Sequence, residues 1–506
     1  SSDKLKRSEL LYEVWRGIEI KRIKYFDSFY FILRLESKLR IIIFKIEIMK
    51  TYDYIVIGSG WGAKLARGLA DAGKSVAIIE KDKLGGTCLN RGCIPSKMFI
   101  HPADVMQEIR ESKLYNISVP NPKIDFAKLS DEVNTEIWKT SDSIKNNYES
   151  WNVKNLEFFH GAASFVENKI VEVNGELLTA ENIVIWVGSR PSLPPIEWLT
   201  DIPYMTSTGA LKNKKLPKKL LVIWGGYIAV ELGHAYGWFG SEVHFFVRSW
   251  LVWAVDREIK AEFEAEFSQK YNIHKNITFH RVEFDKNTWE YTLYYNENWE
   301  ELSISGDGLL IATGIKINSD TLNLDNTDLK IWKIWNIEVN KSLETNVDWI
   351  YAIWDCNGNH FFRHSVNFEV EYLLPQLLEK DEKSEISYPP IPWAIFSNPQ
   401  VAGVGKTEEE LIAEWVEYFK WVNKYKNSAM WDALRSEHGM VKLLFSKQDQ
   451  KLLWAHIVWP EASNMIHMLI VFINFNATLT DILKTVFIHP ALPENIRNAA
   501  RKAKIN

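Results

Sequence analysis

The sequence predicts an α/β protein: two parallel-sheet units that can each hold a dinucleotide, followed by a smaller α+β region. Three observations predict it. A short apolar run, a glycine-rich turn and a helix follow one another from Tyr52. The same order returns from Leu220. From about Ser387 the pattern changes to mixed strands and helices without that repeat.

The first unit opens with residues 52–57, a continuous apolar run of the kind found in strands buried on both faces. Gly58, Gly60 and Ala63 follow at Gly-x-Gly-x-x-Ala spacing. A helix is expected over 63–72 and a second strand over 75–79, closed by Glu80. The first glycine makes the tight turn, the second lets the backbone approach a pyrophosphate, and the small third residue lets helix pack on strand. Glu80, 22 residues after Gly58, can hold ribose hydroxyls. This is a Rossmann-like fingerprint in its full context of strand, turn, helix and acid.

The second unit has a strand over 220–223, then Trp224-Gly225-Gly226-Tyr227-Ile228-Ala229, then a helix through Tyr236. A strand over 243–247 ends at Arg248, not at an acid. An arginine there can pair with a 2′-phosphate, so the reading favours NADP over NAD. A solvated surface arginine is the plain alternative.

Between the two units lies the segment Gly85-Gly86-Thr87-Cys88-Leu89-Asn90-Arg91-Gly92-Cys93-Ile94-Pro95-Ser96-Lys97. The chain has three cysteines in 506 residues, too few for a disulfide scaffold, so a reducing, cytoplasmic setting is expected. A close pair in that setting points to redox catalysis. Metal ligation is the alternative, but nothing nearby completes a four-ligand set. Pro95 suits a helix first turn, whose N-terminus favours a thiolate. A formal net charge of −5 gives no electrostatic footprint for nucleic acid. No run is long enough for a membrane span.

The cysteine segment resembles the active-site segment of the flavin-dependent pyridine nucleotide–disulfide oxidoreductases. Other segments resemble the same family in the same order. Residues 311–314, ending at Gly314, resemble its crossover between nucleotide domains. Residues 345–355 resemble the segment whose aspartate, here Asp355, holds the flavin ribityl chain. Ala163 matches an adenine contact, and Gly86, Thr87 and Gly188 match further cofactor positions. Residues 394–405 resemble the opening of the family's dimer-interface domain.

The resemblance implies FAD and NADP or NAD as cofactors, and a homodimer. It divides the chain into an upstream extension (1–48), an FAD-binding part (49–199), an NAD(P)-binding domain (200–315), a returning FAD-binding or central part (316–386) and a dimerisation domain (387–506). Electrons would pass through the flavin to a Cys88–Cys93 disulfide, with Cys93 nearer the flavin and Cys88 attacking the substrate. Lys97 and Glu231 match a buried pair beside the flavin. His489 and Glu494 match an acid/base dyad supplied by the other subunit. The Ala-Leu-Pro between them looks closest to mycothione reductase. The implied function is NAD(P)H-dependent reduction of a small disulfide, with oxidation of a dithiol, dihydrolipoamide, as the alternative. His101 and His364 are expected to be structural, Cys356 a small buried hydrophobe, and Tyr227 either a nicotinamide gate or a packing residue.

One feature conflicts with all this. The chain carries 22 tryptophans, many where the family has glycine: Trp224, Trp349, Trp354, Trp454 and Trp459. Glycine stands at such sites because no Cβ fits or because φ is positive. Several such changes, each costing about 1–3 kcal/mol, would consume a folding stability of roughly 5–15 kcal/mol. A UGA codon that means glycine, read as tryptophan, accounts for the shared identity. Residues 1–48, ahead of Met49, are expected to be upstream sequence outside the native chain. If the tryptophans are literal, the expectation is a nucleotide-binding scaffold without turnover.

Overall fold

The computed structural model describes residues 49–60, 62–150, 155–197, 199–332, 334–379, 384–435 and 438–502. The expectation about 1–48 lies outside these residues.

The first unit runs β1 (Lys50–Ile57), α1 (Gly62–Asp71), β2 (Val76–Glu80), α2 (Gly86–Arg91), α3 (Cys93–Glu111), α4 (Phe126–Ser150), β3 (Leu156–His160), β4 (Ser164–Glu167), β5 (Ile170–Val173) and β6 (Glu176–Ile185). Its sheet has the order β3-β2-β1-β6-β5-β4. The strands from β3 to β6 are parallel, and β5 and β4 add an antiparallel edge. Residues Tyr54 to Ile57 of β1 are buried, as a strand covered on both faces requires.

A short strand, β7 (Ser189–Pro191), leads out to the second unit. That unit has β8 (Lys219–Ile223), α5 (Tyr227–Phe239), β9 (Glu242–Phe246), α6 (Arg257–Phe267) and β10 (Asn272–His274). An antiparallel meander follows, β11 (Ile277–Asp285), β12 (Glu290–Glu297) and β13 (Glu300–Gly306), and β14 (Gly308–Ile311) returns beside β8. The parallel order is β10-β9-β8-β14. Both dinucleotide-type units are therefore present. The helix expected to end at Tyr236 continues to Phe239 and closes at Gly240.

β15 (Ile315–Ile317) pairs antiparallel with β7 where the chain comes back. β16 (Ile350–Ala352) then joins β6 in parallel, so the first unit is discontinuous in sequence. Helix α7 (Arg363–Leu378) packs against α1, with Leu374 2.6 Å from where a Cβ on Gly68 would stand. The last region is an antiparallel sheet of β17 (Pro392–Ile395), β18 (Val401–Val404), β19 (Tyr418–Lys424), β20 (Met440–Ser446) and β21 (Leu452–Val458), in the order β17-β18-β21-β20-β19. Helices α8 (Ala462–Asn474) and α9 (Glu494–Arg501) lie on it. Buried Lys442 of β20 pairs with Glu408 of its own region at 2.6 Å and ties that region to the second unit through Asp256, the N-cap of α6, at 2.9 Å. Among the described residues no helix is long and apolar enough to cross a membrane.

Among the described residues seven tryptophans have left-handed backbone: Trp224 (φ 95°), Trp289 (58°), Trp299 (76°), Trp335 (69°), Trp349 (66°), Trp354 (60°) and Trp415 (59°). Bulky L-residues avoid that region because Cβ crowds the following carbonyl. Trp454 instead sits in β21 and Trp459 directly follows it, and their rings fill the space a Cβ would need on Gly405 and Gly439.

Candidate active site

Gly92 separates two helices, so Cys88 sits inside α2 and Cys93 is the first residue of α3. A Cβ on Gly92 would stand 2.9 Å from the Thr87 carbonyl oxygen, which is why glycine makes this tight break. The two side chains meet as free thiols in hydrogen-bond contact. The hydrogen bond from Cys93 holds the Cys88 thiol well below its usual range; burial opposes this and the Arg363 guanidinium reinforces it. Cys93 is pushed up, because it gives that hydrogen bond and is desolvated at the cavity wall.

Lys97, one turn into α3, donates to Glu231 of α5 at 2.9 Å. The other Glu231 oxygen accepts the Phe396 N–H at 3.0 Å, and the Lys97 ammonium lies 4.2 Å from the centre of the Phe396 ring. The expected pair is thus formed and anchored to both neighbouring units.

A cavity of about 1730 Å³ runs from the first glycine loop to the cysteines. Gly58, Gly60, Glu80 and Ala163 line one end. Gly86, Thr87, Cys88, Cys93, Lys97 and Glu231 line the other. Gly188, Asp355, Gly314, Tyr227 and Ile228 complete the expected residues on its wall. Gly58 has φ 113°, and a Cβ there would collide with the Trp186 carbonyl. Gly86 approaches so closely that its Cβ would stand 2.8 Å from Gly60 Cα. Glu80 accepts from the Ser59 N–H at 2.9 Å, the Ser59 hydroxyl at 2.8 Å and the Asp82 N–H at 2.8 Å. Asp355 is 3% exposed; one oxygen accepts from Ser189 at 2.6 Å and the other has no partner. Burial pushes its carboxyl up to about 7. A buried, half-satisfied carboxyl calls for a hydroxyl-bearing group. Together with the glycine cradle and Glu80 it fits an FAD.

Six expected residues lie off this wall. Ala63 sits in the first turn of α1. Gly225, Gly226 and Arg248 stand at the second loop. Arg248 is exposed, and its guanidinium lies 4.1 Å from the centre of the Trp224 ring. His489 and Glu494 form their hydrogen bond at 2.9 Å, remote from this chain's own cysteines. Burial opposes ionisation of Glu494, but His489, the Ala491 N–H and Arg497 hold its carboxyl below the usual range.

His101 and His364 both line the cavity. His364 Nε2 lies 2.6 Å from the Pro392 carbonyl. Cys356 is fully buried, as expected, and its sulfur accepts the Val187 N–H at 3.2 Å. Sequence reasoning missed Arg363, Ser59 and Glu369. Glu369 is fully buried and accepts from Trp354 N–H at 2.6 Å, Asn357 at 3.1 Å and Tyr388 at 2.5 Å, holding the loop that carries Asp355. No spacing marked any of them. Among the described residues no group of three or more His, Cys, Asp or Glu could hold a metal.

Known proteins carry the same plan. The family described as pyridine nucleotide-disulphide oxidoreductase matches residues 52–371, and its dimerisation domain matches 391–500. A dihydrolipoyl dehydrogenase of Geobacillus stearothermophilus is 32% identical over 466 residues, 89% of this chain and 96% of the relative. A mycothione reductase of Mycobacterium tuberculosis is 29% identical over 467 residues, 89% and 99%. A mercuric reductase of Lysinibacillus sphaericus is 32% identical over 456 residues, 89% and 82%. Among solved structures, the HOCl-induced flavoprotein disulfide reductase RclA from Escherichia coli superposes with TM-score 0.78 at 25% identity, covering 90% of this chain and all of that one.

Proposed function

The chain belongs to the pyridine nucleotide-disulphide oxidoreductase family, and on that premise we propose that it reduces a small disulfide through Cys88 and Cys93. Enzymes of this family act on sulfur groups with FAD and NAD(P)H. FAD, when bound, supplies the passage of electrons from NAD(P)H to the cysteine pair; Glu80, the Gly58–Gly60 loop and Asp355 would hold it.

The observation that carries the reading is the pair of free thiols, Cys88 and Cys93, that share the cavity wall with the Lys97–Glu231 pair. The thiolate, not the thiol, is the nucleophile. Cys88 attacks one substrate sulfur, forms a mixed disulfide and expels the other half as a thiolate. His489 of a second copy, oriented by Glu494, protonates that thiolate. Cys93 then gives up its proton and attacks Cys88, releasing the second thiol and restoring the internal bridge. Lys97 keeps a positive charge beside the site, and Glu231 fixes its direction.

A low-molecular-weight disulfide of the mycothione type is the preferred substrate, supported by the Ala-Leu-Pro wording of the His489–Glu494 segment and by the mycothione reductase relative. Dihydrolipoamide oxidation is the second reading, favoured by the dihydrolipoyl dehydrogenase relative. The test is a panel of disulfides and dihydrolipoamide, each assayed with both nicotinamide cofactors. Turnover of one small disulfide with NADPH, lost in Cys88→Ser, is expected. Undiminished turnover in Cys88→Ser would overturn the reading.

A further inference from the structure

We propose that Glu369 is a positioning residue for Asp355 and that Tyr388 completes its hold, so that flavin retention depends on a hydroxyl from the segment leading into β17. Asp355 is the middle residue of a three-residue turn, Trp354–Cys356. One carboxylate pins both the first residue of that turn and the residue after it. Glu369 Oε2 accepts the Trp354 N–H at 2.6 Å, and Oε1 accepts Asn357 Nδ2 at 3.1 Å. Oε1 also accepts the Tyr388 hydroxyl at 2.5 Å. The Asn357 side-chain oxygen accepts the Asn359 N–H at 2.9 Å, which fixes the direction of its amide.

The turn requires such a hold. Trp354 has φ 60°, a conformation that costs a bulky L-residue energy and persists only where the surroundings impose it. Asp355 is anchored by Ser189 at 2.6 Å through one oxygen alone, while its other oxygen has no partner. The aim of that free oxygen into the cavity therefore depends on the backbone beneath it.

Glu369 stands within α7, the helix that packs Leu374 against Gly68 of α1. It thus fixes Asp355 relative to the helix that follows the first glycine loop. Tyr388 is itself held, with its ring 4.8 Å from His360 and 5.7 Å from Phe368. Glu369 is fully buried, and each of these three partners donates to it. A glutamine has one acceptor oxygen and one donor amide, so it would set a donor against either the Trp354 N–H or the Asn357 and Tyr388 donors.

The test dilutes the FAD-loaded protein and reads released FAD by its fluorescence, which gives a dissociation constant. Glu369→Gln is expected to raise that constant about tenfold, and Tyr388→Phe about fivefold, the effect of one lost hydrogen bond. Because Glu369 acts through Asp355, adding Glu369→Gln to Asp355→Asn should cause little further release. A merely structural role would instead give losses that multiply in the double variant, and that result overturns the proposal. An unchanged constant in Glu369→Gln also overturns it. If Glu369→Gln does not fold, Tyr388→Phe, which removes a single oxygen, is read in its place by the same criteria. The single variants decide alone if Asp355→Asn retains no flavin. No disulfide enters the measurement, so failure here is separate from failure of the exchange reaction, which shows as full turnover in Cys88→Ser.

Discussion

The Arg248 guanidinium lies over the Trp224 ring at 4.1 Å. The residue best suited to a nucleotide phosphate is thereby engaged by an indole, and the indole stands on a backbone of φ 95°. Trp224→Gly should relieve the strain and free Arg248. The expected outcome is a KM for NADPH at least about tenfold lower, from one recovered charge-assisted contact, with little change for NADH. Steady-state kinetics with both cofactors checks it, and equal gains for the two would remove Arg248 from phosphate recognition.

Lys97 is 37% exposed at its side chain and Glu231 7%. Lys97→Met leaves a mostly buried carboxylate with only the Phe396 N–H. Loss of about 2 kcal/mol is expected, below the roughly 3–5 of a fully buried pair because water reaches the ammonium. Urea unfolding measures it. Lys97→Met, Glu231→Gln together should recover most of the loss.

Lys442 and Asp256 are fully buried and 2.9 Å apart. Burial opposes the charge on Asp256, but Lys442 outweighs it and holds the carboxyl below its usual range. A depressed folded pKa stabilises the fold above the unfolded value, near 3.9, and that contribution is lost as pH falls through the lower folded value. Lys442→Met should cost about 3–5 kcal/mol at neutral pH. Thermal melts over pH 3 to 7 should show a weaker acid-side dependence in the variant.

His489→Gln should lower kcat by about 10²-fold, the range of a positioned acid/base, without altering reduction of the cysteine pair by NADPH. Stopped-flow absorbance separates the two halves. Mixing His489→Gln and Cys88→Ser subunits should restore one working site per heterodimer if the histidine acts across the dimer.

Much of this was legible in the sequence because it lay in contiguous segments. The Gly58–Glu80 run and the Cys88–Lys97 run each carry strand, turn and chemistry at short range, and β1, β2, α2 and α3 follow them. Glu231 lies 134 residues from Lys97 and was reached only through the family resemblance. Arg363 and Glu369 were not reached, because their roles depend on α7 folding back beside the cysteines and no local pattern encodes that return. At Arg248 the position was legible, but the ring it stacks on is a side chain that the fingerprint does not contain.

β16 completes the first sheet only at Ile350–Ala352, and Asp355 follows directly. During synthesis the ribosome must therefore deliver the entire second unit before the first can close. A nascent chain halted short of residue 350 would lack both the last central strand and the carboxyl for the flavin chain, however complete its amino-terminal glycine loop. Closure of the first unit is in this way deferred to a late stage of translation.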